Sequence, residues 1–165
     1  MIASSDHPKP AQTSGDPLTL CYIDERKGLG VRTLVDTEAN EIIHHFSGEI
    51  RTEIEQHSLQ ISHDSHICGT EYIGFLLHSC APNCRLDMTG FSLITMRDIS
   101  ANEVLTVDYA ATEDYLFRQF ACHCGASDCR NWITGRRETI SPDGKSYLET
   151  LKRGPVISCT APPAM

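Results

Sequence analysis

Apolar and β-branched residues along this chain come in short runs. They are "LTLCYI" (18–23), "GVRTLV" (30–35), "EIIHHF" (41–46), "EIRTEIE" (49–55), "SLQIS" (58–62), "FSLITMRD" (91–98) and "EVLTVDY" (103–109). Runs of this length, separated by Gly, Asn, Asp and Ser, predict strands with turns between them. Long amphipathic helices are not expected. "GTEYIGFLL" (69–77) and "TEDYLFRQF" (112–120) each predict a helical segment of about two turns. The pattern therefore predicts a mainly β fold built of several small sheets, without internal repeats.

A length of 165 residues suits one domain with one core. Residues 1–17 are rich in Pro, Ser, Asp and Gly and carry little to bury, so they are expected to form a disordered tail, as is the end "SCTAPPAM". The formal charge of -8 argues against a phosphate-backbone binder and suits a basic peptide, a basic protein or a small amine as partner. The N-terminus has no apolar run of the signal-peptide kind, and no apolar stretch is long enough to span a membrane. The expectation is an intracellular protein, cytoplasmic or nuclear, with no direct nucleic-acid or membrane partner.

Eight cysteines would suit a secreted disulfide scaffold, but that reading needs an export signal. Their clustering points to metal instead. Cys122, Cys124 and Cys129 share one loop, "CHCGASDC", in which Gly125 supplies a tight turn. Zinc in structural sites takes about four ligands, so this loop is one short. On spacing, Cys80 and Cys84 are the candidates for the fourth, and His78 and His123 weaker ones. Such a site would pin a C-terminal loop onto the middle of the chain.

Four stretches, in order, resemble the SET-domain lysine methyltransferases with their cysteine-rich post-SET segment. "KGLGVRTL" (Lys27–Leu34) followed by "ANEIIHHFSGEI" (Ala39–Ile50) is similar to the opening of that domain, and "FLLHSCAPNC" (Phe75–Cys84) to its N-H-S-C-x-P-N motif. "ISANEVLTVDY" (Ile99–Tyr109) resembles the segment that ends in a catalytic tyrosine, and "FACHCGASDCRNWITG" (Phe120–Gly135) the post-SET motif. The resemblance implies a SET-domain fold of small β-sheets with a C-terminal pseudoknot and a zinc-binding post-SET loop. It divides the chain into the tail at 1–17, a SET domain at 18–119, a post-SET segment at 120–136, and an extension at 137–165 whose last part is disordered.

By the same resemblance the cofactors are S-adenosylmethionine and one structural zinc, held by Cys80, Cys122, Cys124 and Cys129. Tyr109 is the catalytic residue, and Lys27, Gly28, Leu29, Gly30, Leu77, His78 and Trp132 contact the cofactor. Tyr72 and Val107 line the substrate channel. Gly28 and Gly30 would let backbone approach the cofactor closely, or would simply form a hairpin turn. Trp132 would cover the cofactor, with structural packing as its alternative.

Two positions depart from the family pattern. Leu77 stands where the family has Asn, removing an amide that hydrogen-bonds the cofactor. Val107 stands where Phe or Tyr is usual, which widens the channel. A milder change is Asn131 in place of Gly. The expected function is transfer of a methyl group from S-adenosylmethionine to an amine, foremost a protein lysine. Activity on a small-molecule amine and a non-catalytic zinc-stabilised binding module are the alternatives.

Overall fold

The computed structural model describes residues 15–153, so most of the tail expected at 1–17, and all of the expected end "SCTAPPAM", lie outside the described residues. Asp16 and Pro17, grouped with the first tail on composition, are tied to the body. The Pro17 carbonyl accepts from the Leu34 N–H at 2.6 Å, and the Asp16 carboxylate from the Leu18 N–H at 3.1 Å.

The chain begins with an antiparallel pair, β1 (Leu18–Asp24) and β2 (Gly28–Thr33). Next come β3 (Ile42–His45), β4 (Glu49–Arg51), β5 (Leu59–Ser62) and β6 (Ser65–Cys68), then a 3-10 turn at Ile73–Phe75 leading into β7 (Leu77–His78). β8 (Cys84–Asp87) and β9 (Ser92–Thr95) form a hairpin, followed by β10 (Thr106–Val107) and the single turn α1 (Tyr109–Thr112). A small pair, β11 (Phe120–Ala121) and β12 (Trp132–Ile133), and the helix α2 (Pro142–Arg153) complete the described chain. The sheets are small, as expected: two three-stranded sheets ordered β3-β9-β8 and β4-β6-β5, and three two-stranded ones.

One connection organises the rest. Residues 103–107 lie between an early strand and a middle one. On one side Leu105 N–H donates to the Val31 carbonyl at 2.8 Å and Thr33 N–H to Glu103 at 3.3 Å. On the other, β10 pairs in parallel with β7, Thr106 against Leu77 and Val107 against His78. This interlacing is the expected pseudoknot. Asn83 secures it, since its side-chain oxygen accepts from Thr106 N–H at 2.7 Å while its amide donates to the Val104 carbonyl at 2.9 Å. Leu105, Val31, Leu93 and Ile73 fill the core beneath, each at most 1 % exposed.

Two helical expectations are corrected. "TEDYLFRQF" is not helical past Thr112, because its backbone groups are spent across the chain: Arg136 N–H donates to Glu113, Arg137 N–H to Asp114, and Asp114 N–H to the Gln60 side chain. One helix that the apolar pattern did not predict, α2, runs for 12 residues. Its apolar positions are sparse, but its end signals are strong. Ser141 Oγ accepts from Gly144 N–H at 3.2 Å, Pro142 opens the helix, and Asp143 and the pair Lys152 and Arg153 oppose the helix dipole at its two ends. The "GTEYIGFLL" segment keeps only its 3-10 turn, whose Gly74 N–H is held by Thr70 Oγ1 at 3.0 Å. Among the described residues, no helix is long and apolar enough to cross a membrane.

Leu105 tests the interlaced strand directly. Leu105→Ala removes a fully buried side chain from a region clamped on both sides, and about 2–5 kcal/mol of stability is expected to go with it in urea denaturation.

Candidate active site and four-cysteine cluster

A cavity of about 550 Å³ opens where the interlaced segment, the 3-10 turn and the segment from Phe120 to Cys124 meet. That volume suits a small-molecule ligand. Ile23, Lys27 and Leu29 form the β1–β2 wall, and Leu76, Leu77, His78 and Ser79 line it from the middle of the chain. Val107 and Tyr109 come from the interlaced segment, Phe120 to Cys124 from the last part of the fold, and Glu55 to Leu59 from the loop before β5.

Tyr109 opens α1, and the Asp108 carboxylate caps that turn by accepting from Ala110 N–H at 3.1 Å. The Tyr109 hydroxyl donates to the Leu76 carbonyl at 2.7 Å, which commits its proton and leaves the oxygen lone pairs free to accept. Burial pushes this phenol up to about 12, with Glu113 adding to the effect, so the hydroxyl stays neutral through the physiological range. His78 accepts from Tyr109 N–H through Nδ1 at 3.3 Å. Burial pulls the His78 imidazole down to about 4; Asp108 opposes this shift and Arg130 reinforces it. A neutral ring is thus presented. His78, Tyr109 and Phe120 form an edge-on cluster with ring centres 5.3–5.9 Å apart.

The glycines of "KGLG" divide their roles. Gly28 has a φ of +68°, the left-handed turn that favours glycine, and open space where a Cβ would stand. A Cβ on Gly30 would lie 3.0 Å from Ile23 and 3.2 Å from the Leu77 side chain. Leu77 is therefore packed against the β1–β2 wall. The apolar residue that removes an amide on paper serves here as a wall, and Gly30 leaves it room.

Four residues expected in the site do not line the cavity: Gly28 and Gly30, which alternate with its lining residues Lys27 and Leu29, and Tyr72 and Trp132, which lie apart from it. Tyr72 is buried in the core with its ring edge-on to His44 at 5.6 Å, and it is not among the lining residues. Trp132 is turned toward α2, because its indole lies where a Cβ on Gly144 would come within 2.4 Å, beside Tyr147 and with Nε1 donating to Gln119 at 3.0 Å. The packing alternative describes it. In its place Phe120 lines the cavity, a residue visible in sequence only as the aromatic two positions before Cys122.

Glu113 is a further lining residue. Burial raises its carboxyl, although the carboxylate accepts from Gln60 N–H at 3.1 Å and from Thr112 Oγ1 at 3.1 Å. Its partner is in β5, which no local pattern announces.

The sulfur atoms of Cys80, Cys122, Cys124 and Cys129 all lie within 4.8 Å of one another, with Cys80 and Cys122 at 4.0 Å. A tetrahedral zinc with Zn–S bonds of about 2.3 Å needs sulfurs about 3.8 Å apart, so four thiolates in this arrangement fit it. Cys124 is already disposed to be a thiolate: burial opposes ionisation, but hydrogen bonds from the Cys80 and Ala126 backbone and from neighbouring thiols bring it down to about 6. Cys84 stands outside the group. It is fully buried in β8, opposite Thr95, and burial pushes its thiol up to about 12. His123 is exposed and faces the Tyr147 ring at 6.4 Å.

The SET domain family model matches residues 28–110, from the first glycine of "KGLG" to one residue past the cavity tyrosine. The chain belongs to the SET-domain family. Among its relatives, this SET protein is 27% identical to the histone-lysine N-methyltransferase, H3 lysine-36 specific, of Chaetomium globosum, over 70% of this chain and 15% of that protein. It is 28% identical to histone-lysine N-methyltransferase 2D of Homo sapiens, over 65% of this chain and 2% of that protein. The match to ASHH2 of Arabidopsis thaliana is 28% over 67% of this chain and 8% of the relative. The chain thus spans a small part of the length of these relatives. Among solved structures, KRYPTONITE in complex with mCHG DNA and SAH aligns at a TM-score of 0.56 and 27% identity, covering 70% of this chain and 28% of that one.

Metal content distinguishes the two cysteines of the central motif. Cys80→Ser is expected to lower bound zinc from one equivalent toward none by elemental analysis, while Cys84→Ala retains the metal and loses only stability.

Proposed function

We propose that this SET protein transfers methyl groups from S-adenosylmethionine to a protein lysine, with a structural zinc in the four-cysteine cluster. The observation that carries the reading is the placement of Tyr109 and His78 together on one cavity, which the segment bearing Cys122 and Cys124 also lines. The histone-methylating relatives weigh toward a protein lysine over a small amine or a non-catalytic role. A second KRYPTONITE complex, with mCHH DNA, H3(1-15) peptide and SAH, makes a histone tail the first substrate to try. An intracellular setting follows from the same reading.

S-adenosylmethionine, when bound, supplies an electrophilic methyl group on a sulfonium sulfur. This chain does the rest. Arg26 and Lys27 place positive charge on the cavity wall, suited to a carboxylate. Leu29 and Leu77 supply apolar wall, and the His78 and Phe120 rings give flat surfaces for an adenosyl group. The Tyr109 oxygen, with its proton committed to Leu76, accepts weak C–H···O contacts from an electron-poor methyl group. The incoming lysine must lose its proton, since its ordinary pKa is about 10.4. Loss of solvent around the amine in the cavity favours the neutral form. The rate then comes mainly from alignment. Val107 lines the cavity with a smaller side chain than the Phe or Tyr usual in the family, which suits an amine that already carries methyl groups.

Incubation of the purified protein with labelled S-adenosylmethionine and histone H3, other basic proteins and small amines is expected to label a protein lysine. Absence of transfer to every acceptor would overturn the reading, and label confined to small amines would redirect it. Tyr109→Phe is expected to lower kcat by about 10²-fold, the order associated with small misalignment. Because the Tyr109 phenol titrates near 12, above the usual value of about 10, wild-type activity should show no tyrosine-dependent fall as pH rises from 8 to about 10.5.

A further inference from the structure

Arg130 follows the last cysteine of the cluster, and its contacts run in two directions. Toward the cluster, its backbone N–H and its Nε both point at the Cys80 sulfur, at 3.4 and 3.5 Å. Toward the cavity, its Nη2 donates to Asp108 Oδ1 at 2.5 Å and lies 3.5 Å from His78 Nε2. Asp108 Oδ1 is the atom that caps the turn beginning at Tyr109. His78 Nδ1 receives the Tyr109 N–H, and His78 Nε2 lies 3.5 Å from the same Cys80 sulfur. One guanidinium therefore touches a cluster sulfur, the ring that lines the cavity and the cap of the tyrosine turn. These groups come from residues 78–80, 108 and 130, which no covalent link holds together.

We infer that Arg130 is a positioning residue that couples the four-cysteine cluster to Tyr109, so that a filled cluster and a bound cofactor favour one another. The inference rests on the function proposed above. Its physical basis is a shared charge. A cluster of thiolates is strongly anionic, and N–H donors from Arg130 to Cys80 become stronger as that charge is fixed in place. The arginine is then held where its other edge fixes Asp108. Arginine suits this role because its planar fork keeps both edges in one rigid geometry, which a lysine ammonium cannot do. Coupling of this kind is reciprocal: the factor by which metal strengthens cofactor binding equals the factor by which cofactor strengthens metal binding.

The test uses the full chain with cobalt in place of zinc, because cobalt–thiolate absorption reports on the cluster while it stays loaded. Titration with S-adenosylmethionine is expected to shift that absorption in the wild type and to leave it unmoved in R130Q. Calorimetry should show cofactor binding to R130Q weakened by about 5-fold to 150-fold, the usual span of coupling. D108N serves as the second variant, since Asn still caps the turn but carries no charge. The double variant is expected to bind no worse than R130Q, and R130K to restore little. An unchanged cobalt shift in R130Q, or losses that add in the double variant, would overturn the inference and leave the methyltransferase reading standing. A wild type that loads metal but binds no cofactor would overturn that reading first, and the inference with it.

Discussion

The structure depends on a strand of two residues. β10 has β7 on one edge, and the segment running into it has β2 on the other, so the stretch leading to Tyr109 is hydrogen-bonded from both sides. Parallel pairing of such short strands has little stability alone, and here it is supported by Asn83 and by a core filled with Leu105, Val31 and Ile73. The consequence is positional. Val107 falls opposite His78, and the next two residues, Asp108 and Tyr109, emerge beside the cavity with no freedom to drift.

The second constraint comes from the end of the fold. Three cysteines on the loop after β11 meet Cys80 in the middle of the chain, which sets Phe120 edge-on to Tyr109 and closes the cavity from the far side. The acidic pair Glu113 and Asp114 makes a further tie without any metal. Gln60 bridges both through its backbone and side chain, and Arg136 and Arg137 pair with Asp114. Between the interlaced strand and these ties, each wall of the cavity is anchored to sequence far from it. A ligand site assembled this way is stiff where alignment matters.

Much of this was legible in the residues. The strand runs at 18–23, 41–46 and 91–98 fold as strands because their alternating or continuous apolar residues meet a core. Strands β6, β7, β8, β11 and β12 were not anticipated, since each is only two to four residues long with no clear apolar pattern of its own and exists because a partner lies alongside. Helix α2 was missed for the opposite reason, as its capping signals are clear but its apolar stripe is thin. Trp132 was read toward the cavity from its place after the cysteines, whereas the close approach of Gly144 in α2 draws it away.

The sequence by itself determined the family, the three-cysteine loop and the tyrosine of the motif, because these are chemical requirements that show as residue types at set spacings. It also determined that Leu77 and Val107 are unusual. Only the tertiary structure decided what those departures mean. Leu77 is a packed wall beside Gly30, Cys80 rather than Cys84 joins the sulfur cluster, and Phe120 faces the tyrosine while Tyr72 and Trp132 do not. Each of these depends on contacts between segments eleven or more residues apart. Local pattern carries no record of such contacts, because they arise when the core closes and not before.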